Sequence, residues 1–244
     1  MNVEDTQLMK NIISQINNFS NGNKVLFSVS YEKIAKTNII LLRGLLEELN
    51  KKGILITVDR PHQYMEHLLR MHRIKYENLL FIDTIARFTG EELSDNLNIG
   101  NVKILDSPFQ IDLLPALLSN NLNSGNLSSI DGKIDVSNVD FILIDNVATL
   151  LNYNDPPIVQ NFLENYMAKF NGLYNIFISL TMDKITHNSL YEVARKLFDK
   201  EIDIDILRIP KGGIDRERRG KSLLSEREDI FDLFSYRKCY TGGE

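Results

Sequence analysis

One cysteine, no tryptophan and only six prolines occur in the 244 residues of this chain. With Cys239 alone, no internal disulfide can form and no cysteine-built zinc site is available. Long apolar runs are missing too. None approaches the roughly 18 residues that a membrane helix needs, so no membrane span is expected. The first ten residues carry Glu4 and Asp5 ahead of any apolar run, unlike a secretory leader, and the expected location is cytoplasmic. Basic charge is not in excess: 28 Lys and Arg stand against 33 Asp and Glu, a net −5. That argues against a protein that coats nucleic acid through bulk charge. What is present is ordinary for a globular protein, 43% hydrophobic and 25% charged, which excludes a disordered chain, a collagen-like fibre and a coiled coil. The length suits one large domain or two small ones.

The chain opens on an amphipathic helix. Leu8, Met9, Ile12, Ile13, Ile16 and Phe19 recur at three- and four-residue steps, and Asn21-Gly22-Asn23 closes the pattern. Strand and helix signals then alternate. Apolar runs at 24–30, 53–59, 78–86, 102–105, 139–145, 174–181 and 202–209 read as strands, and the segments 35–50, 61–72, 110–119, 157–170 and 190–200 read as helices. Runs this short and this rich in Ile, Leu, Val and Phe suit strands buried on both faces. Their alternation with helices predicts an α/β, three-layer sandwich with a mostly parallel central sheet over residues 24–210. The N-terminal helix (1–23) precedes that domain and a C-terminal extension (211–244) follows it. Residues 87–100 and 119–137 are rich in Asn, Ser, Gly and Asp and read as surface loops. In parallel sheets ligands bind at the carboxyl ends of the strands, so the loops after Ser30, Asp59, Ala86, Asp145 and Thr181 are the places to look.

The first of these loops reads Ser-Tyr-Glu-Lys-Ile-Ala-Lys-Thr from Ser30 to Thr37. It keeps the spacing of the phosphate-binding pattern G-x-x-x-x-G-K-[ST], and Lys36 and Thr37 match its last two positions. Ser30 and Ala35 replace the glycines. A left-handed conformation at Ala35 would cost on the order of 1 kcal/mol. Tyr31 is an aromatic placed to stack on a base, or to pack. A Lys-Thr pair opening an ordinary helix looks the same in isolation; its place after the first core strand is what points to phosphate. Later, Val139–Asn146 (VDFILIDN) ends an apolar strand on Asp145, where a carboxylate could hold Mg²⁺. An aspartate capping a loop is the plainer alternative, and Asp83 in FIDT shows how readily the pattern arises.

Taken in order, SYEKIAKT, GILITVDRP, NLLFID, FILIDNVATLL and NIFISLT resemble the RecA superfamily, and within it the KaiC-like ATPase domains of archaea. The resemblance covers about residues 25–213. It implies a RecA-like P-loop NTPase fold, with ATP and Mg²⁺ as ligands. It places Lys36 and Thr37 at the Walker A lysine and hydroxyl, and Asp145 at the Walker B aspartate, so Thr37 and Asp145 become the Mg²⁺ candidates. Thr181 falls where such folds sense the terminal phosphate, and Lys211 matches the lysine of a Lys-x-Arg that reaches a neighbouring subunit's nucleotide. The departures are as specific. Asp59-Arg60 stands where KaiC-like proteins carry catalytic glutamates, which leaves Asp59 as a weak general-base candidate. Gly213 replaces the trans arginine, with Arg208 and Arg216 as substitutes. Missing glycines, glutamates and arginine together weaken hydrolysis or phosphate binding.

Other residues offer less. His62 and His67 flank Glu66 on one predicted helix at a five-residue separation, which does not align them, so surface histidines are expected there. No G-x-S-x-G elbow is present. The extension pairs a basic stretch (Lys211, Arg216, Arg218, Arg219, Lys221) with an apolar one (Ile230, Phe231, Leu233, Phe234). The expectation is therefore a degenerate Walker A protein that binds nucleotide weakly or not at all. It would act as a regulatory or scaffold subunit, in a homo-oligomer or with a protein of the same superfamily. Two alternatives stay open: an active ATPase in a homo- or hetero-oligomer, and an accessory of DNA recombination or repair, which the net charge does not favour.

Overall fold

The structure, a computed structural model, describes residues 3–17, 24–87, 101–105, 108–124, 126–129, 132–135, 138–170 and 176–207. The elements run in the order α1 (Val3–Asn17), β1 (Lys24–Ser28), α2 (Ile34–Arg43), β2 (Gly53–Thr57), α3 (His62–Met71), β3 (Leu79–Asp83) and β4 (Val102–Ile104). There follow α4 (Leu114–Ser124), β5 (Asn126–Ser129), β6 (Gly132–Asp135), β7 (Phe141–Ile144), α5 (Pro156–Lys169), β8 (Phe177–Met182), α6 (Asn188–Leu197), β9 (Lys200–Asp203) and α7 (Ile204–Leu207). Seven strands form one sheet in the order β4-β3-β2-β7-β8-β1-β9, and every pairing in it is parallel. The three-layer α/β sandwich with a parallel central sheet is thus the architecture of the chain.

Successive strand residues face opposite layers, as the period of two demands. Val25, Phe27, Leu55, Phe81, Phe141 and Leu143 share a core with α1, α2 and α3. Leu26, Ile54, Ile56, Ile82, Ile142 and Ile144 share the other with α4, α5 and α6. In α1 it is the stripe Leu8, Met9, Ile12 and Ile16 that is buried. α1 and α2 come close because Gly44 has no side chain; a Cβ there would stand 2.6 Å from Ile13 Cδ1. Beyond Arg43 the backbone widens into one π-helical turn, Gly44–Glu48, where one continuous helix was expected.

Helix placement follows from handedness. The chain moves from β1 through β2 and β3 to β4 in one direction, with α2 and α3 on one face. It moves from β7 through β8 to β9 in the other direction, with α5 and α6 on the opposite face. Right-handed crossovers require that reversal. Two crevices result at the carboxyl ends, one between β1 and β8 and one between β2 and β7, where neighbouring strands send their chains to opposite faces.

Three expectations need correction. Residues 119–137 are not all loop: α4 runs on to Ser124, and β5 and β6 form an antiparallel pair with Leu127 opposite Ile134. The last strand is short and early. It spans Lys200–Asp203 instead of 202–209, because Asp203 Oδ1 accepts the N–H groups of Asp205 and Ile206 and turns the chain into α7. His62 is buried, not a surface histidine. No described helix is long and apolar enough to cross a membrane.

In the α5 layer, Tyr166 lies between Phe162 and Phe170, with ring centroids 5.6 and 4.7 Å away. Its buried hydroxyl finds no partner among the described residues, and burial pushes its pKa upward. A buried hydroxyl without a partner costs about 1–3 kcal/mol. Tyr166→Phe is therefore expected to leave stability unchanged or raise it by about 1 kcal/mol in urea unfolding. A fall of that size would contradict the assignment.

Candidate functional site

After β1 the chain enters no wide glycine loop. Ser30 is extended (φ −63°, ψ 142°), Tyr31–Lys33 make one 3₁₀ turn, and α2 begins at Ile34. Lys33 N–H closes the turn on the Ser30 carbonyl at 2.9 Å. Ala35 sits within α2, in right-handed backbone, so the strain that the missing glycine would have relieved does not arise. Tyr31 is exposed.

The donors of this turn are already engaged. Asp205, on α7, accepts the Ser30 N–H at Oδ2 (2.8 Å) and the Ser30 hydroxyl at Oδ1 (3.1 Å), and Lys33 Nζ lies 2.7 Å from Oδ1. Burial alone would raise the Asp205 carboxyl, but the Lys33 ammonium and the two Ser30 donors outweigh it and hold it below the usual carboxylate range. A carboxylate thus occupies the Ser30 and Lys33 donors that an anion at this turn would use. Nearby, Lys184 pairs with Asp203 and fastens the loop after β8 to the same edge.

Lys36 points elsewhere. Its Nζ pairs with Asp5 of α1 at 2.8 Å, and its side chain is about half exposed (47%). Such a surface pair contributes no more than about 1 kcal/mol. Thr37, one residue on, is buried, and its hydroxyl oxygen has no partner among the described residues.

The crevice between β1 and β8 is bridged by Asn38, also buried. Its amide donates to the Asp145 carbonyl at 2.6 Å, and its Oδ1 accepts the Thr181 hydroxyl at 2.6 Å. One side chain of α2 therefore joins the ends of β7 and β8, and brings Thr181 and Asp145 into a single polar chain. Asn38 escaped the sequence reading. The signal was a lone amide inside an apolar helix, since a buried amide must be hydrogen-bonded.

Asp145 fills the second crevice. Its carboxylate accepts the Val58 N–H at 3.0 Å across the β2–β7 gap. Burial, then the negative charge of Asp59, push its pKa up to about 8, against the smaller pull of the Val58 and Asn146 N–H groups and of Arg60. Asp59 accepts the Thr149 hydroxyl at 3.1 Å and has Arg60 Nε 3.7 Å away. The Arg60 guanidinium in turn lies 4.9 Å above the Tyr64 ring. Asn146 Oδ1 and Thr57 Oγ1 are buried at the same strand ends without partners among the described residues.

A third polar node closes β3. Asp83 is fully buried, with His62 Nδ1 at 2.7 Å from Oδ2, and the Ile85 and Ala86 N–H groups each at 2.8 Å from Oδ1. The pair explains why His62 is inside: its ring nitrogen partners a buried carboxyl group that also caps the following turn. The ring packs on Phe81 with centroids 6.2 Å apart.

The site thus gathers Ser30, Thr37, Asp145 and Thr181 around the carboxyl ends of β1, β8, β7 and β2, with Asp59 beside Asp145. It does not gather Lys36. Lys211, Arg208 and Arg216 lie outside the described residues, as do the apolar stretch 230–234 and Cys239. As arranged, the residues do not fit Mg²⁺-ATP. The turn is occupied by the Asp205 carboxylate, and the expected lysine, on α2, is paired with Asp5 of α1. Among the described residues no three His, Cys, Asp or Glu side chains group as a metal site.

No protein-family model matches the chain, and no curated protein matches it. Among solved structures it is similar to a KaiC-like protein from the hyperthermophilic archaeon Pyrococcus horikoshii OT3, at 12% identity over 74% of this chain and 71% of that one, TM-score 0.48. It is also similar to a second protein of Pyrococcus horikoshii OT3, at 11% identity over 78% of this chain and 86% of that one, TM-score 0.49.

Proposed function

We propose that this chain is a RecA/KaiC-like protein with a degenerate Walker A loop that does not hydrolyse nucleotide. Its role is that of a regulatory or scaffold subunit, assembled with copies of itself or with a protein of the same superfamily. The observation that carries this reading is the Asp205 carboxylate seated on Ser30 and Lys33, which puts a negative charge where a phosphate would have to go. Like charges at that spacing repel, so Mg²⁺-ATP binds weakly at most. Two further features agree. Lys36 is paired with Asp5 of α1, and Asp59 is occupied by Thr149 and Arg60.

The test is ATP turnover together with thermal unfolding in Mg²⁺-ATP, with Lys36→Ala as control. Ligand at 100 times its dissociation constant would add about 2.7 kcal/mol. The expected result is a shift well below that at millimolar nucleotide, equal in wild type and variant, with no turnover above background. Turnover that Lys36→Ala abolishes would overturn the reading and favour an active ATPase.

A further inference from the structure

We propose that Asp205 is an internal stand-in for phosphate: it holds the turn after β1 shut, and a phosphate-bearing ligand enters only when Asp205 swings out. The inference rests on the reading of Ser30–Thr37 as a phosphate loop and names how that loop is regulated.

The chemistry of the contact is that of an anion site. One backbone N–H, one hydroxyl and one ammonium converge on a single carboxylate, at 2.8, 3.1 and 2.7 Å. Charge-assisted hydrogen bonds of this kind are the strong ones, and phosphate oxygens take the same donors. A second observation concerns the last residue of the same loop. Thr37, in the first turn of the ten-residue α2, has a fully buried hydroxyl oxygen with no partner among the described residues. Asp205 satisfies Ser30 and Lys33 and leaves the Thr37 hydroxyl unused.

The latching side chain is also suited to move. Asp205 belongs to α7, a single helical turn of four residues at the end of the edge strand β9. Asp203, paired with Lys184, accepts the Asp205 and Ile206 N–H groups, and Ile204 is buried in the core, so the backbone of α7 stays in place. The side chain of Asp205 is 29% exposed and that of Lys33 is 35% exposed, so the pair can separate by rotation of the Asp205 side chain alone.

A ligand that can bind only the open form has its affinity reduced by the fraction of molecules that are open. Three charge-assisted contacts put that fraction at about one in ten or below. Asp205→Asn removes the charge and keeps the shape, so it should bind inorganic pyrophosphate at least about tenfold more tightly than wild type. Asp199→Asn serves as control. Asp199 caps the Lys24 N–H at the far end of the same strand and does not touch the turn. The gain should disappear in Asp205→Asn/Lys33→Ala, measured by titration calorimetry.

A folded Asp205→Asn protein with wild-type pyrophosphate affinity would overturn the latch and leave the non-hydrolysing reading standing. ATP turnover by the wild type, lost in Lys36→Ala, would overturn that reading and leave the pyrophosphate comparison to decide the latch. Should Asp205→Asn fail to fold, amide NMR on the wild type decides. The Ser30 amide resonance, which reports the bond to Asp205, should shift as pyrophosphate is raised into the tens of millimolar, and an unmoved resonance overturns the proposal.

Discussion

Replacing Asp145 by Asn should make the protein more stable at pH 8 and leave it nearly unchanged at pH 4. In the folded protein this carboxyl titrates at about 8, whereas its ordinary value is 3.8. Between those values the unfolded chain has released its proton and the folded protein has kept it. The folded state then binds more protons, and stability falls as pH rises. The loss begins near pH 4, steepens to at most about 1.4 kcal/mol per pH unit, and levels off above pH 8. Asparagine cannot titrate, and its amide oxygen still accepts the Val58 N–H that Asp145 Oδ1 accepts now. The gain over wild type should therefore grow with pH to on the order of 5 kcal/mol at pH 8. Urea unfolding of both proteins from pH 5 to pH 8 reads this directly. Parallel pH profiles would show that Asp145 is ionised when buried. Because Asp59 contributes to the shift, Asp59→Asn should lower the Asp145 pKa and soften the wild-type slope.

Gly53→Ala should be among the most damaging single changes available. Gly53 opens β2 directly opposite Phe141 of β7, and both are buried. A Cβ built on Gly53 would fall on the Phe141 ring, far inside van der Waals contact. The ring lies across the glycine and covers the backbone that a side chain would otherwise cover, an arrangement that makes strand glycines tolerable. It has nowhere to retreat, since it belongs to the core shared by α1, α2 and α3. Overpacking at such a site costs about 3 kcal/mol or somewhat more. A double-mutant cycle separates strain from other effects. Phe141→Leu alone should be destabilising, but in the Gly53→Ala background it should cost less, because the smaller side chain makes room. Additive losses would place the damage somewhere other than the ring.

Sequence and structure agree where the signal is local. The runs KVLFS, GILIT, LLFID and FILI are strands because short continuous apolar segments suit a sheet covered on both faces. The signal blurs where polar residues take part in regular structure. The pair β5–β6 hides behind Asn, Ser and Asp, although the Asp131-Gly132 dipeptide is a hairpin signal. The end of β9 is set by Asp203 folding back on the next two N–H groups, which strand periodicity does not register. At the site, spacing marks Thr37, Asp145 and Thr181 as residues that belong at strand and helix ends. It is silent on their partners. Asp205 lies 175 residues from Ser30, and Asn38 lies 107 from Asp145 and 143 from Thr181. Lys36 is the clearest example. Its place in the helix follows from the sequence, but its direction is set by Asp5 on a helix that packs alongside.

The position of β1 in the sheet also sets a schedule for synthesis. β2, β3 and β4 can begin to pair as soon as they leave the ribosome, since each lies next to another. β1 pairs only with β8 and β9, and the last of these ends at Asp203. At about 5–20 residues per second, β1 therefore waits on the order of 10–35 s for its neighbours, with both its edges bare. Its three central residues, Val25, Leu26 and Phe27, are completely buried in the finished molecule. The nascent chain is thus most vulnerable to mispairing at β1, and a chaperone that shelters residues 24–28 would act where protection is needed longest.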